Sequence, residues 1–266
     1  MASHRDLVTS ADGTKIAVET TGEGQPVVLI GGAFTDRGTM GGLAQVLSPR
    51  YTAVTYDRRG RGDSGDVSGD YSADREIEDL RAVVDHVGGA ASLFGHSSGG
   101  VLVLEAASRG VPVERIAVYE TPFIPEGSRP RPAPDFGERL AGLVRAGDKD
   151  GATALFQIEG IGLPPQMVEG MRHSDMWGYL TGLAHSLPYD AALFEPDWEV
   201  PTTRLAAITV PTLTIAGSDT FPWLAGATEQ VAEAVPGARF LSLAGQDHGI
   251  LQSPEALQPS LQEFFG

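Results

Sequence analysis

Gly95-His96-Ser97-Ser98-Gly99-Gly100 stands between the apolar run Ala91-Ser92-Leu93-Phe94 and the apolar stretch Val101-Leu102-Val103-Leu104-Glu105-Ala106-Ala107. The first reads as a buried strand, the second as a helix that is apolar almost all round and must therefore be packed inside the molecule. Almost no loop separates them. A strand that turns directly into a buried helix leaves no room for side chains at the flanks of the turn, and Gly95 and Gly99 answer that need. The hexapeptide also matches G-x-S-x-G, the strand–turn–helix pattern that raises a serine, here Ser97, at the tip of a sharp elbow. A plain Gly/Ser turn closing a strand would not account for so tight a junction.

Working outward, short apolar runs alternate with longer amphipathic ones, the rhythm of strands joined by crossover helices. Lys15 to Glu19, Pro26 to Ile30, Tyr51 to Tyr56, Ala91 to Gly95 and Arg115 to Tyr119 read as strands. Ser72 is a candidate N-cap for a helix carrying Ile77, Leu80, Val84 and Val87 on one face, ended by Gly88-Gly89. After Pro122 the rhythm changes. Residues 123–201 hold no convincing strand but several short amphipathic stretches, 134–146, 148–158, 164–173 and 175–186. The alternation resumes with strands at 211–216 and 238–243 and helices near 223–235 and 254–265. The expected architecture is an α/β core, 1–122 and 202–266, with helices on both faces of a mostly parallel eight-stranded sheet and a helical cap, 123–201, inserted after the sixth strand.

The chain has 266 residues, no cysteine, and 19 Lys and Arg against 35 Asp and Glu, a formal net charge of −16. Such a charge repels nucleic acid and anionic membrane, so neither is expected as a partner. The absence of cysteine removes disulfides, thiolate metal sites and cysteine nucleophiles together. No His, Asp and Glu cluster has metal-ligand spacing, and no dinucleotide fingerprint follows a strand, so no metal or cofactor is expected. No apolar leader or long apolar span is visible, which gives the expectation of a soluble, cytoplasmic protein.

Serine is a poor nucleophile without a base. His248, in Gly245-Gln246-Asp247-His248-Gly249 after the last strand, falls on the same sheet edge as Ser97. His96 is expected to pack beside the elbow, and His4, His86, His173 and His185 to lie on the surface or in the cap. Two carboxylates compete to orient the base. Asp219, in Gly217-Ser218-Asp219-Thr220, follows the strand at 211–216, but Gly-Ser-Asp is also ordinary turn chemistry. Glu120 ends the strand at 115–119, where a carboxylate would be costly to bury unless paired with a group such as a histidinium. The reading favours Glu120 and keeps Asp219. The backbone N–H of Ser98, at a helix N-terminus, is one candidate donor to a developing oxyanion. The loop Gly31-Gly32-Ala33-Phe34 should supply a second, from Ala33 or else Gly32.

These segments, with Tyr56-Asp57-Arg58-Arg59-Gly60-Arg61-Gly62-Asp63-Ser64, resemble a serine hydrolase of the α/β-hydrolase superfamily, of the capped esterase, lipase and lactonase type, over nearly the whole chain. The order nucleophile, acid, histidine agrees with it. The resemblance implies that Asp57 and Arg58 brace the sheet edge rather than act in catalysis. Two departures matter: the oxyanion loop begins Gly-Gly where similar proteins have His-Gly, and Asp219 stands two residues past Gly217 rather than three. Members such as haloalkane dehalogenases and certain macrolactone hydrolases place the acid about where Glu120 stands. The implied activity is cleavage of small to medium apolar carboxylic esters through an acyl-enzyme, with lactone hydrolysis, C–C hydrolysis or perhydrolysis as alternatives. A ligand-binding receptor that keeps the fold is the non-enzyme alternative. Phe34, Phe123, Met176, Trp177 and Trp223 are the expected pocket residues. A histidine base acts only when neutral, so activity should fall in acid.

Overall fold

Strand β3 (Gln25–Ile30) shows how the apolar runs become a sheet. Its residues alternate between two cores: Val28 and Ile30 face one side, Val27 and Leu29 the other. A strand buried on both faces belongs in the middle of a covered sheet. The computed structural model describes residues 3–67 and 71–266 and contains eight strands in the order β1-β2-β4-β3-β5-β6-β7-β8. They are β1 (Ser3–Thr9), β2 (Lys15–Thr21), β3, β4 (Tyr51–Tyr56), β5 (Ala91–His96), β6 (Val113–Tyr119), β7 (Thr212–Gly217) and β8 (Arg239–Leu243). The pairings β1–β2 and β2–β4 are antiparallel, and the others are parallel. Met1 and Ala2, where the N-terminus was read as free of a leader, lie outside the described residues, as do residues 68–70.

Strand β1 carried no apolar alternation in the sequence. It is an edge strand with a mostly exposed surface, so burial imposes no pattern on it. Helices α1 (Gly41–Leu47), α2 (Ala73–His86) and α3 (Ser98–Ser108) follow the strands as crossovers. α2 begins as its sequence indicated: the Ser72 side chain accepts from the Arg75 N–H, and Asp74 and Glu76 occupy the first turn. Ile77, Leu80, Val83 and Val84 of α2 pack with α3 on one sheet face, while Leu43 and Leu47 of α1 cover the other.

Between β6 and β7 come α4 (Phe136–Arg145), α5 (Lys149–Leu155), α6 (Pro165–Met171), α7 (Asp175–Gly182) and α8 (Leu187–Ala192). α5 runs on into a turn of π-helix, Phe156–Ile161. The apolar side chains of this all-helical segment, among them Phe136, Leu140, Phe156, Trp177, Phe194 and Trp198, form one continuous core with the α2–α3 face of the sheet. The short α9 (Thr202–Leu205) leads back to the sheet and packs against α3. α10 (Pro222–Ala234) then covers the α2–α3 face, and α11 (Gln258–Phe265) places Leu261, Phe264 and Phe265 on the opposite face. Among the described residues no helix is long and apolar enough to cross a membrane.

Candidate active site

Ser97 sits at the junction of β5 and α3 with φ 57° and ψ −128°. That backbone region is strained for a residue with a side chain and persists only where the surroundings enforce it. The surroundings here are backbone. A Cβ on Gly95 would stand 2.5 Å from the Gly100 Cα, and one on Gly99 would stand 2.4 Å from the Ile30 carbonyl oxygen. The Ser97 N–H donates to the Tyr119 carbonyl at 2.9 Å, and the Ser97 carbonyl accepts from the Gly100 N–H at 2.9 Å, so the turn is clamped on both sides.

His248 comes from the loop after β8, an edge strand, yet it reaches the centre of the sheet. Two buried side chains draw the loop inward. The Tyr119 hydroxyl donates to the Asp247 carbonyl at 2.7 Å, and His96 Nε2–H donates to the His248 carbonyl at 3.0 Å. Burial, reinforced by the nearby His248, pushes His96 down to about 3, which keeps its ring neutral in this role. His96 therefore packs beside the elbow as expected, and it also holds the loop.

Glu120, the residue after β6, has no exposed surface and is the partner of His248, with Nδ1 to Oε2 at 2.7 Å. Its Oε1 accepts from the Gly217 N–H at 2.8 Å, and Oε2 accepts also from the Thr220 hydroxyl at 3.0 Å. With both oxygens acting as acceptors, the shared proton belongs to His248 Nδ1, which leaves Nε2 with the free lone pair. Asp219 does not reach His248. It is exposed in a turn, its Oδ1 accepting from the Ser218 hydroxyl at 2.8 Å and its N–H donating to Gln246 at 2.9 Å. Of the two competing carboxylates, the one that follows β6, the neighbour of the strand leading into Ser97, faces the histidine; the other is turn chemistry.

Ser97, Ser98, His96 and His248 line an apolar cavity of about 210 Å³, together with Ala33 and Phe34 from the loop after β3. The helical segment supplies Phe156, Gly160, Ile161, Phe194 and Trp198, and the α10 side supplies Phe221, Trp223 and Leu224. A larger, open and polar hollow of about 550 Å³ on the other side of His248 is formed by loops around Asp219, Asp247 and Gln252 and does not include Ser97. Among the described residues neither the Ala33 nor the Ser98 N–H has a protein acceptor. The Gly32 Cα is packed against the elbow, where a Cβ would stand 2.8 Å from that of Ser97.

Of the expected pocket residues, Phe34 and Trp223 line the cavity and three do not. Met176 is 55% exposed. The Trp177 indole N–H donates to Asp150 at 2.8 Å, and Phe123 is buried edge-on against Phe194. Helical spacing alone cannot tell the inner face of a small helical layer from its outer one, which is why Met176 and Trp177 were misplaced. Phe156 falls within the amphipathic stretch 148–158, whereas Pro122, Phe194 and Trp198 gave no distinguishing signal. None of His4, His173 and His185 lines the cavity with Ser97: His4 is exposed on β1, His173 is exposed, and His185 Nε2 bonds the Gly60 carbonyl at 2.6 Å. His86 lies near Asp6, 3.6 Å away. Asp57 braces its loop by accepting from the Arg37 and Asp63 N–H groups at 2.7 and 2.9 Å.

A model of the alpha/beta hydrolase family matches residues 27–257. The chain belongs to this family. The solved structure of an alpha/beta hydrolase from Sphaerobacter thermophilus is 44% identical, covers 98% of this chain and 100% of its own, and superposes with a TM-score of 0.92. A non-heme haloperoxidase from Rhodococcus erythropolis is 27% identical over 92% of this chain and 93% of its own length. The polyketide synthase ThaQ from Burkholderia thailandensis is 28% identical over 97% of this chain, which spans 12% of that protein's length.

Proposed function

We propose that this hydrolase cleaves carboxylic esters with compact apolar acyl groups through an acyl-enzyme, with Ser97 as nucleophile, His248 as base and Glu120 as the acid. The observation that carries the reading is convergence. The strained serine, the His248–Glu120 pair and two unpaired backbone N–H groups all meet at one small apolar cavity. His248 Nε2 takes the Ser97 proton as its hydroxyl oxygen attacks the ester carbonyl. The Ala33 and Ser98 N–H groups stabilise the oxyanion, and His248 returns the proton to the leaving alcohol. Water then repeats the sequence on the acyl-enzyme. Each oxyanion donor in a site of this kind is worth a factor of roughly 10²–10³ in kcat. The segment 123–201 serves as the cap, since its aromatic residues form one wall of the acyl pocket.

The test is intact-mass labelling with an aryl phosphonate alongside hydrolysis of p-nitrophenyl esters. The expected result is a single adduct on Ser97, with both labelling and turnover lost in Ser97→Ala. Full esterase activity in Ser97→Ala would sink the proposal. Tight ligand binding without turnover of any ester or lactone would favour a receptor. The likeness to a non-heme haloperoxidase supports a second acceptor for the acyl group, hydrogen peroxide in place of water. Peracid formation from a short ester and peroxide is the assay for it.

A further inference from the structure

The second serine of the elbow has a hydroxyl that the acyl-enzyme reaction does not use. Ser98 is 2% exposed, and its Oγ–H donates to Asp190 Oδ1 at 2.7 Å. Asp190 belongs to α8, in the helical segment. Its Oδ1 also accepts from Arg58 Nη1 at 2.7 Å, and its Oδ2 accepts from Arg61 Nη2 at 2.7 Å. Arg58 is held in turn by Glu76, through Nε and Nη2 at 2.8 and 3.0 Å. Two cations and two anions thus sit together at 3% exposure or less. Burial works to raise the Asp190 carboxyl, but Arg61 and Arg58 outweigh it and hold it below the ordinary carboxylate range.

The other arm of Arg61 reaches the oxyanion loop. Its Nη1 donates to the Gly32 carbonyl at 2.6 Å, and the Thr35 hydroxyl donates to the same oxygen at 2.7 Å. In a planar trans peptide the carbonyl and the N–H point in opposite directions. Fixing the Gly32 oxygen on the Arg61 side therefore aims the Ala33 N–H away from the cluster, and Ala33 lines the cavity with Ser97. One carboxylate, Asp190, is consequently joined to both candidate oxyanion donors: directly to Ser98, and through Arg61 to the Gly32–Ala33 peptide.

We propose that Asp190 and Arg61 are positioning residues for the oxyanion hole, so that the seating of the helical segment on the sheet and the alignment of the two donors are a single event. This rests on the reading of Ser97 as nucleophile with Ala33 and Ser98 as donors. Stability alone is a poor account of the cluster, because buried ion pairs often contribute no more than apolar residues of the same volume would. What such a cluster does supply is a fixed geometry, since displacing any member strands another charge without a partner.

The experiment compares Ser98→Ala, Asp190→Asn and the double variant, all as the full chain. Active sites are counted by phosphonate titration and rates measured on p-nitrophenyl acetate. Phenylboronic acid serves as the probe of tetrahedral-adduct binding. Ser98→Ala leaves all four charges paired and keeps the test open if Asp190→Asn fails to fold. Misaligning a donor forfeits part of its contribution, so kcat per titrated site should fall about tenfold in Ser98→Ala and more in Asp190→Asn. KM should stay within about twofold, and boronic acid affinity should weaken by the same factor as kcat/KM, as expected for a group acting only in the transition state. The double variant should be no worse than Asp190→Asn, because the two changes cut one connection. Lowered thermal stability with kcat per site and boronate affinity within about twofold of the unmodified protein would overturn the proposal and leave the cluster as a docking contact. Failure of the unmodified protein to label at Ser97 would instead overturn the underlying function.

Discussion

Among the described residues, four other than glycine have left-handed φ: Phe34, Ser97, Glu120 and Trp198. Three line the cavity and the fourth is the partner of His248. Strain of this kind costs on the order of 1–3 kcal/mol per residue and gathers where geometry has been set for chemistry. Glu120 was legible in the sequence because an acidic residue closing an apolar strand demands a partner, and Asp219 was ambiguous because an exposed turn asks nothing of its carboxylate. On the proposed mechanism, Glu120→Gln should lower kcat/KM by about 10³–10⁴, as loss of the orienting carboxylate does elsewhere. Asp219→Asn should stay within about twofold, since its side chain bonds only its neighbour Ser218. Steady-state kinetics on a short ester compares the two. His96 supports a pH prediction with a definite sign. It takes up a proton at the ordinary value of ~6.5 in the unfolded chain but only near 3 in the fold. The unfolded state therefore binds more protons between those values, and stability falls as pH drops through that window. His96→Gln should remove up to about 1.4 kcal/mol per pH unit of that slope, read from urea unfolding at pH 4 to 6.

At the scale of elements, the elbow works because three pieces of backbone approach each other more closely than side chains allow. α3 starts so near β3 that a Cβ on Gly99 would meet the carbonyl oxygens of Ile30 and Gly31 at 2.4 and 2.6 Å. Backbone cannot rotate away as a flexible side chain can. Gly99→Ala should therefore destabilise by at least the 1–3 kcal/mol typical of overpacking and abolish activity, as measured by thermal unfolding and ester turnover. The glycines at 95 and 99 made this junction legible, along with β3 to β7 and the helices α2 and α3, because in each of these segments burial dictates the residue pattern. Two things were not legible for the converse reason. β1 is exposed, so its residues carry no imprint of the sheet. Asp190 lies beyond the amphipathic stretches read from the sequence and carried no signal there, because its partners Arg58, Arg61 and Ser98 come from distant parts of the chain and spacing within α8 says nothing about them.

For the whole molecule, on the proposed function, the division of labour between sheet and helical segment sets the substrate. The sheet edge presents Ser97, His248 and Glu120 in fixed positions, while the acyl pocket is closed from the other side by Phe156, Ile161, Phe194 and Trp198. Arg129 joins the two halves: its guanidinium lies 4.4 Å from the centre of the Trp223 ring, and Nη2 donates to the Gly160 carbonyl at 2.6 Å. With no carboxylate partner among the described residues, that cation is desolvated and its pKa is drawn down to about 10. Trp223 and Gly160 are both cavity residues, so this contact ties the sheet side of the pocket wall to the helical side. At about 210 Å³ the enclosed space is below the usual range for drug-sized ligands and suits a short acyl chain. The unmodified protein should therefore lose kcat/KM steadily from p-nitrophenyl butyrate to octanoate. Trp223→Ala removes a ring from the pocket wall at a half-buried position, at little cost to the core. Each methylene newly buried gains about 0.8 kcal/mol, so even two of the four added in octanoate should raise the octanoate-to-butyrate ratio of kcat/KM about tenfold. An unchanged ratio would mean that the acyl chain runs away from Trp223 and that the pocket opens elsewhere. Arg129→Met, which removes the cation but keeps an apolar contact with the ring, should move the ratio in the same direction by a smaller factor.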